Sequence, residues 1–415
     1  MAVIRPFKAL RPAKDFAQKV ASVPYDVVNR DEAAELAKNN IYSLLNVTRS
    51  EISFPSDVNP YSPEIYLKAK ENLNAIIDSK ALVEDPKPHF YLYRLIMDGR
   101  AQTGIAATFS VDDYENDVIM KHEKTRKEKE DDRTNHIITT GAQTGPVFLT
   151  YKGSQKIDEA VKKITEGEKP EYDFESVDGI KHTVWVVPNK YNDLFVNEIA
   201  ATKNLYIADG HHRAASAFRT RNEMKNNNPK HTGEEEYNFF IGVLFPADQL
   251  QILPYNRVVY DLNGKNKNVI LNEISDKFDI RATDDATPDE PKTFCMYIDK
   301  QWYLLQPKDA IAASNSLAKS VAETLDVSVL QDFILNPVFN IDDPRTNKRV
   351  DFVGGIRGTN ELERLVDSGK AAVAFSLYPV SVEDLMKISD AGEIMPPKST
   401  WFEPKLRDGL LVHKI

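Results

Sequence analysis

The segment 204–226 constrains the fold more than any other, because it reads as a strand, a tight turn and a helix in immediate succession. Asn204-Leu205-Tyr206-Ile207-Ala208 is a short apolar run of the kind buried in a sheet, and Ala214, Ala215, Ala217 and Phe218 start a helical pattern that runs toward Asn226. Between them, Asp209-Gly210-His211-His212-Arg213 crowds a carboxylate, a flexible turn residue and up to three cationic groups into one junction. A helix entered this way presents unpaired backbone N–H groups and the positive end of its dipole. The junction therefore predicts an anion site, with a phosphate as the usual guest.

A chain of 415 residues exceeds what a single core usually serves. Two regions are expected, 1–263 and 264–415, the second an α/β region packing on the first, with the break at Asp261-Leu262-Asn263-Gly264-Lys265. A net charge of -10 argues against a partner whose affinity depends on neutralising nucleic-acid phosphates. Cys295 is the only cysteine, which excludes a disulfide framework and a cysteine-rich metal site and fits a reducing cytoplasm. The opening Met1-Ala2-Val3-Ile4-Arg5-Pro6 lacks the apolar core of a signal peptide, and no apolar run approaches the roughly twenty residues that span a bilayer. A cytoplasmic protein without a membrane partner is the expectation.

The periodicities predict a hairpin of 89–97 and 100–109 around Asp98-Gly99, and further strands at 145–151, 183–187, 237–245, 293–298, 302–305 and 372–377. A helix follows Ser62-Pro63-Glu64, and others are expected at 157–165, 192–201, 268–278, 327–335 and 382–389. This alternation predicts an α/β (α+β) fold with mixed sheets instead of one doubly wound parallel sheet. The tail 395–404, with its three prolines among aromatics, is expected to be stiff and packed.

Adjacent helical residues point about 100° apart, so His211 and His212 are not placed to ligate one metal ion. Arg213 offers a planar fork for phosphate oxygens, and a neighbouring histidine can donate beside it. Asp209 caps the helix, holds Mg²⁺ or orients a histidine. A second cluster, Lys121-His122-Glu123-Lys124-Thr125, closes the apolar run Val118-Ile119-Met120 and precedes Asp131-Asp132-Arg133-Thr134-Asn135-His136. It reads either as a solvated charged linker or as catalytic side chains set at a strand end, with Glu123 a general base. Pro24-Tyr25-Asp26 is a turn or a pocket-lining loop, Arg257 is an ion-pair partner or an anion contact, and Gly354-Gly355 resembles a phosphate nest only loosely. No Walker, Rossmann or Gly-x-Ser-x-Gly pattern occurs.

His-Glu-x-Thr, Ala-Asp-Gly-His-His-Arg, Pro-Tyr-Asp and the closing Met-Pro-Pro-Lys-Ser-Thr-Trp-Phe-x-Pro-Lys together resemble a widespread family of bacterial proteins of unknown function. Asp209–Arg213 is also similar to the signature of free serine kinases, which phosphorylate L-serine on a ParB/sulfiredoxin-like fold. That resemblance implies a ParB/sulfiredoxin-like phosphate-binding core with large insertions, in which Glu123 takes the seryl proton with His122 beside it. It further implies that Gly210, His211, His212 and Arg213, with Thr125 and Arg133, hold nucleotide phosphates, and that Asp209 acts near the transferred group as a possible Mg²⁺ ligand. Tyr25, Asp26 and Arg257 are the candidate substrate contacts. The expected activity is transfer of a phosphoryl group from ATP or ADP, with Mg²⁺, to L-serine or a similar hydroxyl compound. The alternative is a non-catalytic or hydrolytic nucleotide sensor using the same loop. Sulfiredoxin chemistry would need a cysteine in the loop, and Cys295 lies far downstream.

Overall fold

The computed structural model describes residues 1–309, 311, 318 and 320–415. The chain divides into two compact units, one of residues 1–250 and 404–415, the other of residues 251–403. The break therefore falls at Leu250/Gln251 and not at 263/264, and the closing residues return to the first unit. The reason is local pairing: Gln251–Leu253 already pairs with Trp401–Glu403, and Tyr255–Val259 joins the sheet of the second unit.

The first unit is built on a mixed sheet whose strands are β1 (Ile4–Arg5), β2 (Tyr91–Met97), β3 (Arg100–Ser110), β4 (Ile119–Met120), β5 (Val147–Tyr151), β6 (Tyr172–Glu175), β7 (Lys181–Val186), β8 (Leu205–Asp209) and β9 (Phe239–Pro246). Their order is β4-β8-β5-β9-β3-β2-β7-β6, with β1 on β3. β4 runs parallel to β8 and β5 parallel to β9, while the remaining pairs are antiparallel. The expected mixed α/β character is thus present. The β2–β3 hairpin turns through Asp98 and Gly99, both at positive φ (51° and 78°), the conformation a two-residue connection requires. β3 is buried along most of its length instead of alternating, because elements cover both faces of a central strand.

Helices α1 (Lys127–Thr140), α2 (Gln155–Gly167), α3 (Asn192–Ala201) and α4 (His211–Asn227) accompany this sheet. α2 starts where the Ser154 side chain caps it and buries Ile157, Ala160 and Ile164, one stripe at helical spacing. α4 buries Ala214 and Ala217 in the core, and its small side chains let α1 approach closely. Ser216 donates to the Glu130 carbonyl, and Arg219 pairs with Glu130 and Asp131, so the two helices are tied near the N-terminal end of α1.

The tail 404–415 threads the same unit. Ser22 and Asp408 form a β-bridge, as do Leu10 and Val412, and His413–Lys414 pairs with Ala142–Gln143. Leu410, Leu411 and Val412 are buried.

The second unit carries an antiparallel sheet in the order Phe278–Thr283, Gln301–Pro307, Phe294–Ile298, Val373–Leu377, Tyr255–Val259, Val350–Gly354. The predicted helix 268–278 ends early, at Ser275, and the chain re-enters the sheet at Phe278. The predicted helix 327–335 becomes a short α-helix, Asp326–Leu330, followed by a π-helical turn, Gln331–Leu335. Gly354 and Gly355 form no phosphate nest: an added Cβ would meet the Trp401 ring at 2.7 Å or the Pro254 carbonyl at 2.7 Å, so both are glycine for close packing.

Leu410→Ala leaves a cavity in the first unit and is expected to cost about 2–5 kcal/mol of its stability. Denaturant unfolding of the variant beside the wild type measures the loss.

Candidate functional site

β4 and β8 are parallel neighbours, so the loops leaving them emerge side by side at the carboxyl edge of the sheet, where open α/β sheets bind ligands. The first loop is His122–Arg126 and the second is the Gly210 turn into α4. Gly210 caps α4 at φ 93°, a left-handed conformation that lets the chain turn directly from strand to helix. The backbone N–H groups of His211, His212 and Arg213 open a helix of 17 residues and have no acceptor within it.

Direct bonds join the two loops. His122 and His211 approach through their Nε2 atoms at 3.3 Å, with rings edge to face at 4.4 Å. One of them must donate and the other accept, so the accepting ring is neutral when the bond forms. Burial favours the same state, drawing the His122 pKa down to about 4 and that of His211 well below its ordinary value, the latter helped by His122. The Arg126 backbone N–H donates to His212 Nε2 at 3.1 Å, which leaves the His212 proton on Nδ1. The expected trio of cations at the junction is thus reduced: His211 and His212 are neutral, and the side chain of His211 faces His122. Positive character at the loop comes from the helix N-terminus and from nearby cations.

One of those cations comes from the far end of the chain. Lys405, from the closing tail, donates to Asp209 Oδ2 at 3.2 Å. Arg213 approaches the same oxygen at 3.7 Å. Burial alone raises the Asp209 pKa, but Lys405 and then Arg213 outweigh it and hold the carboxyl below the usual range. Lys405 closes the Met-Pro-Pro-Lys-Ser-Thr-Trp-Phe-x-Pro-Lys motif, which was the available signal. Among the described residues no group of three His, Cys, Asp or Glu side chains could hold a metal ion. Asp209 is the carboxylate of this loop, and its Oδ2 is already engaged by Lys405 and approached by Arg213.

Arg213 does not extend toward the loop's backbone donors. Its guanidinium turns inward to the Pro146 carbonyl and lines a small cavity of about 30 Å³ with Tyr25, Arg133, Gly145 and Asp408. Arg133 lies 4.2 Å from the centre of the Tyr25 ring, pairs with Asp132 and donates to the Thr48 carbonyl. Asp26 is exposed, and its charge acts on Arg213. Thr125 donates to Glu130, and Glu123 lies exposed in the first loop directly after His122. Arg257 belongs to the second unit. Asp408 was missed: burial pushes its pKa up to about 7 against the pull of Arg213, its Oδ1 has no hydrogen-bond partner, and a Cβ on Gly145 would collide with it.

The family model described as a protein of unknown function, DUF1015, matches residues 4–328. The chain belongs to that family. No curated protein matches this DUF1015 chain. Solved structures similar to it include a mutant free serine kinase in complex with AMP, at 11% identity and TM-score 0.35 over 74% of this chain and 92% of that one. SbnI from Staphylococcus aureus, truncated at its C-terminus, is similar at 14% identity and TM-score 0.37 over 74% and 86%. A conserved hypothetical protein from Pyrococcus furiosus is similar at 12% identity and TM-score 0.33 over 74% and 94%. No described helix of the DUF1015 chain is long and apolar enough to cross a membrane.

Gly210→Ala forces a side chain into the left-handed region with its Cβ 3.1 Å from Arg213 Nε, and is expected to cost about 1–2 kcal/mol, read as a lowered urea midpoint. Asp408 prefers its protonated form in the fold, so its contribution to stability is lost as pH rises from its ordinary value of 3.8 toward about 7. Asp408→Asn should therefore gain stability relative to the wild type across that window and level off above it, in melting temperatures measured against pH.

Proposed function

We propose that this DUF1015 chain binds ATP or ADP at the Asp209–Arg213 loop, on a ParB/sulfiredoxin-like core, and transfers the terminal phosphoryl group to the hydroxyl of a small molecule. Free L-serine is the acceptor that the motif resemblance names. The observation that carries the reading is the bonding of the two motif loops to each other at the carboxyl ends of β4 and β8, which gathers an anion-binding helix terminus and the Glu123 carboxylate's loop on one rim. The backbone N–H groups that open α4 would hold phosphate oxygens, and the His212 Nδ1–H is a further donor of the right kind. His122 and His211, neutral and locked together, are positioning residues that fix one loop against the other.

In the transfer, the acceptor oxygen forms a bond to the terminal phosphorus while the bond from that phosphorus to the bridging oxygen breaks. The hydroxyl proton passes to the Glu123 carboxylate, and the shortened nucleotide leaves with the bridging oxygen. Mg²⁺, when bound, would neutralise charge on the terminal phosphates, and Asp209 is the ionised carboxylate of the loop that would hold it. Lys405 keeps Asp209 ionised and adds positive charge beside the same phosphates.

Incubation with ATP or ADP, Mg²⁺ and L-serine should yield O-phosphoserine, detected by ³¹P NMR or mass spectrometry. Glu123→Gln should slow transfer by roughly 10²–10⁴-fold with nucleotide affinity nearly unchanged. Failure of serine and other small hydroxyl compounds to become phosphorylated would overturn the kinase reading. Nucleotide hydrolysis or binding without transfer would favour the sensor instead.

A further inference from the structure

Two segments that the phosphate-binding loop leaves unused, Pro254–Arg257 and the prolines of the closing motif, meet each other in the second unit. Arg257 is 3% exposed. Its guanidinium donates to the carbonyls of Tyr255 and Pro397 and lies 4.6 Å from the centre of the Phe352 ring. No carboxylate pairs with it among the described residues: burial pulls its pKa down to about 9, and the one charge effect opposing that comes from Tyr255. A guanidinium does not shed its proton in proteins, and a buried cation without a counter-charge is among the costliest groups a fold can hold. Two of its five N–H donors are engaged by the carbonyls, which leaves capacity for a planar anion.

Arg257 lines an open groove of about 370 Å³, whose other charged and amide lining residues are Glu323, Gln331, Asp332, Asp343 and Arg345. Gln331 and Asp332 begin the π-helical turn Gln331–Leu335, an irregularity that recurs at functional sites. Gln331 Nε2 donates to the Ile341 carbonyl at 2.7 Å, whereas its buried Oε1 accepts nothing. Asp332 is itself exposed, and partial desolvation, then the neighbouring Glu323, raises its pKa. The groove thus joins an uncompensated buried cation to a set of acceptors, in a volume suited to a small molecule.

We propose that this groove binds a small dipolar molecule of the amino-acid kind, its carboxylate on Arg257 and its N–H or O–H donors toward Gln331 Oε1 and the carboxylates of Asp332 and Asp343. The site uses residues of the second unit alone and does not depend on the kinase reading. An anion-only ligand would satisfy Arg257 but meet Glu323, Asp332 and Asp343, which outnumber the one further cation of the lining, Arg345; a cation-only ligand would leave the Arg257 guanidinium uncompensated. The dipolar class answers both.

Calorimetric titration of the full chain with glycine, acetate and methylammonium tests this without nucleotide present. Glycine should bind saturably, acetate at least about tenfold more weakly, and methylammonium not measurably. Arg257→Gln should abolish glycine binding while the melting temperature holds or rises, since an uncompensated charge has been removed; a structural arginine would instead lower it and leave glycine binding intact. Gln331→Leu should reduce the preference for glycine over acetate, and this arm decides the matter if the arginine variant does not fold. Absence of saturable glycine binding, or equal binding of glycine by the wild type and Arg257→Gln, would overturn the proposal.

Discussion

The contact between two neutral imidazoles, His122 and His211, is the interaction on which the geometry of the first unit's rim depends. The hydrogen bond between their Nε2 atoms requires one neutral acceptor, and burial favours the neutral state of both rings. The bond locks the loop after β4 to the first turn of α4. Without it, the donor-rich N-terminus of α4 and the segment carrying Glu123 would be separate features of the sheet edge. Backbone bonding from Arg126 to His212 reinforces the same juncture, and the ties between α1 and α4 make it the end of a packed helix pair instead of an isolated loop contact.

Charge at this rim is arranged in layers. The helix terminus supplies donors without side-chain charge, while the half-buried Asp209 stands between Lys405 and Arg213, which hold it ionised. Arg213 in turn faces inward to a small cavity shared with Tyr25, Arg133 and Asp408. The inward-turned guanidinium thus bonds to the Pro146 carbonyl and approaches Asp209 at 3.7 Å.

Much of the scaffold was legible in the sequence. The hairpin through Asp98-Gly99, the strand at Val147–Tyr151, the helices Gln155–Gly167 and Asn192–Ala201, and the strand–glycine–helix junction at 205–227 all carry local signals: turn chemistry, period and caps. Elements were lost where local signals compete. The pattern at 268–278 runs on past the point where Phe278 joins a sheet, and 327–335 keeps helical periodicity while its backbone shifts to a π turn. The division of the chain was misjudged because Gly264 marks a turn within the second unit, whereas the change of partners at 250/251 leaves no mark in composition.

By itself, the sequence determined the chemistry available: a glycine able to take a left-handed turn, a helix start rich in donors, a His-Glu pair at a strand end, and one cysteine too far away to matter. Those are properties of residue type and near-neighbour spacing. Tertiary structure decided which of these groups meet and in what charge state. It buried His122 and His211 against each other, which favours their neutral forms, turned Arg213 inward, and brought Lys405 and Asp408 from the end of the chain to the Gly210 loop and its cavity. The physical reason is that burial and long-range pairing set protonation and orientation, and neither is written in any segment shorter than the fold.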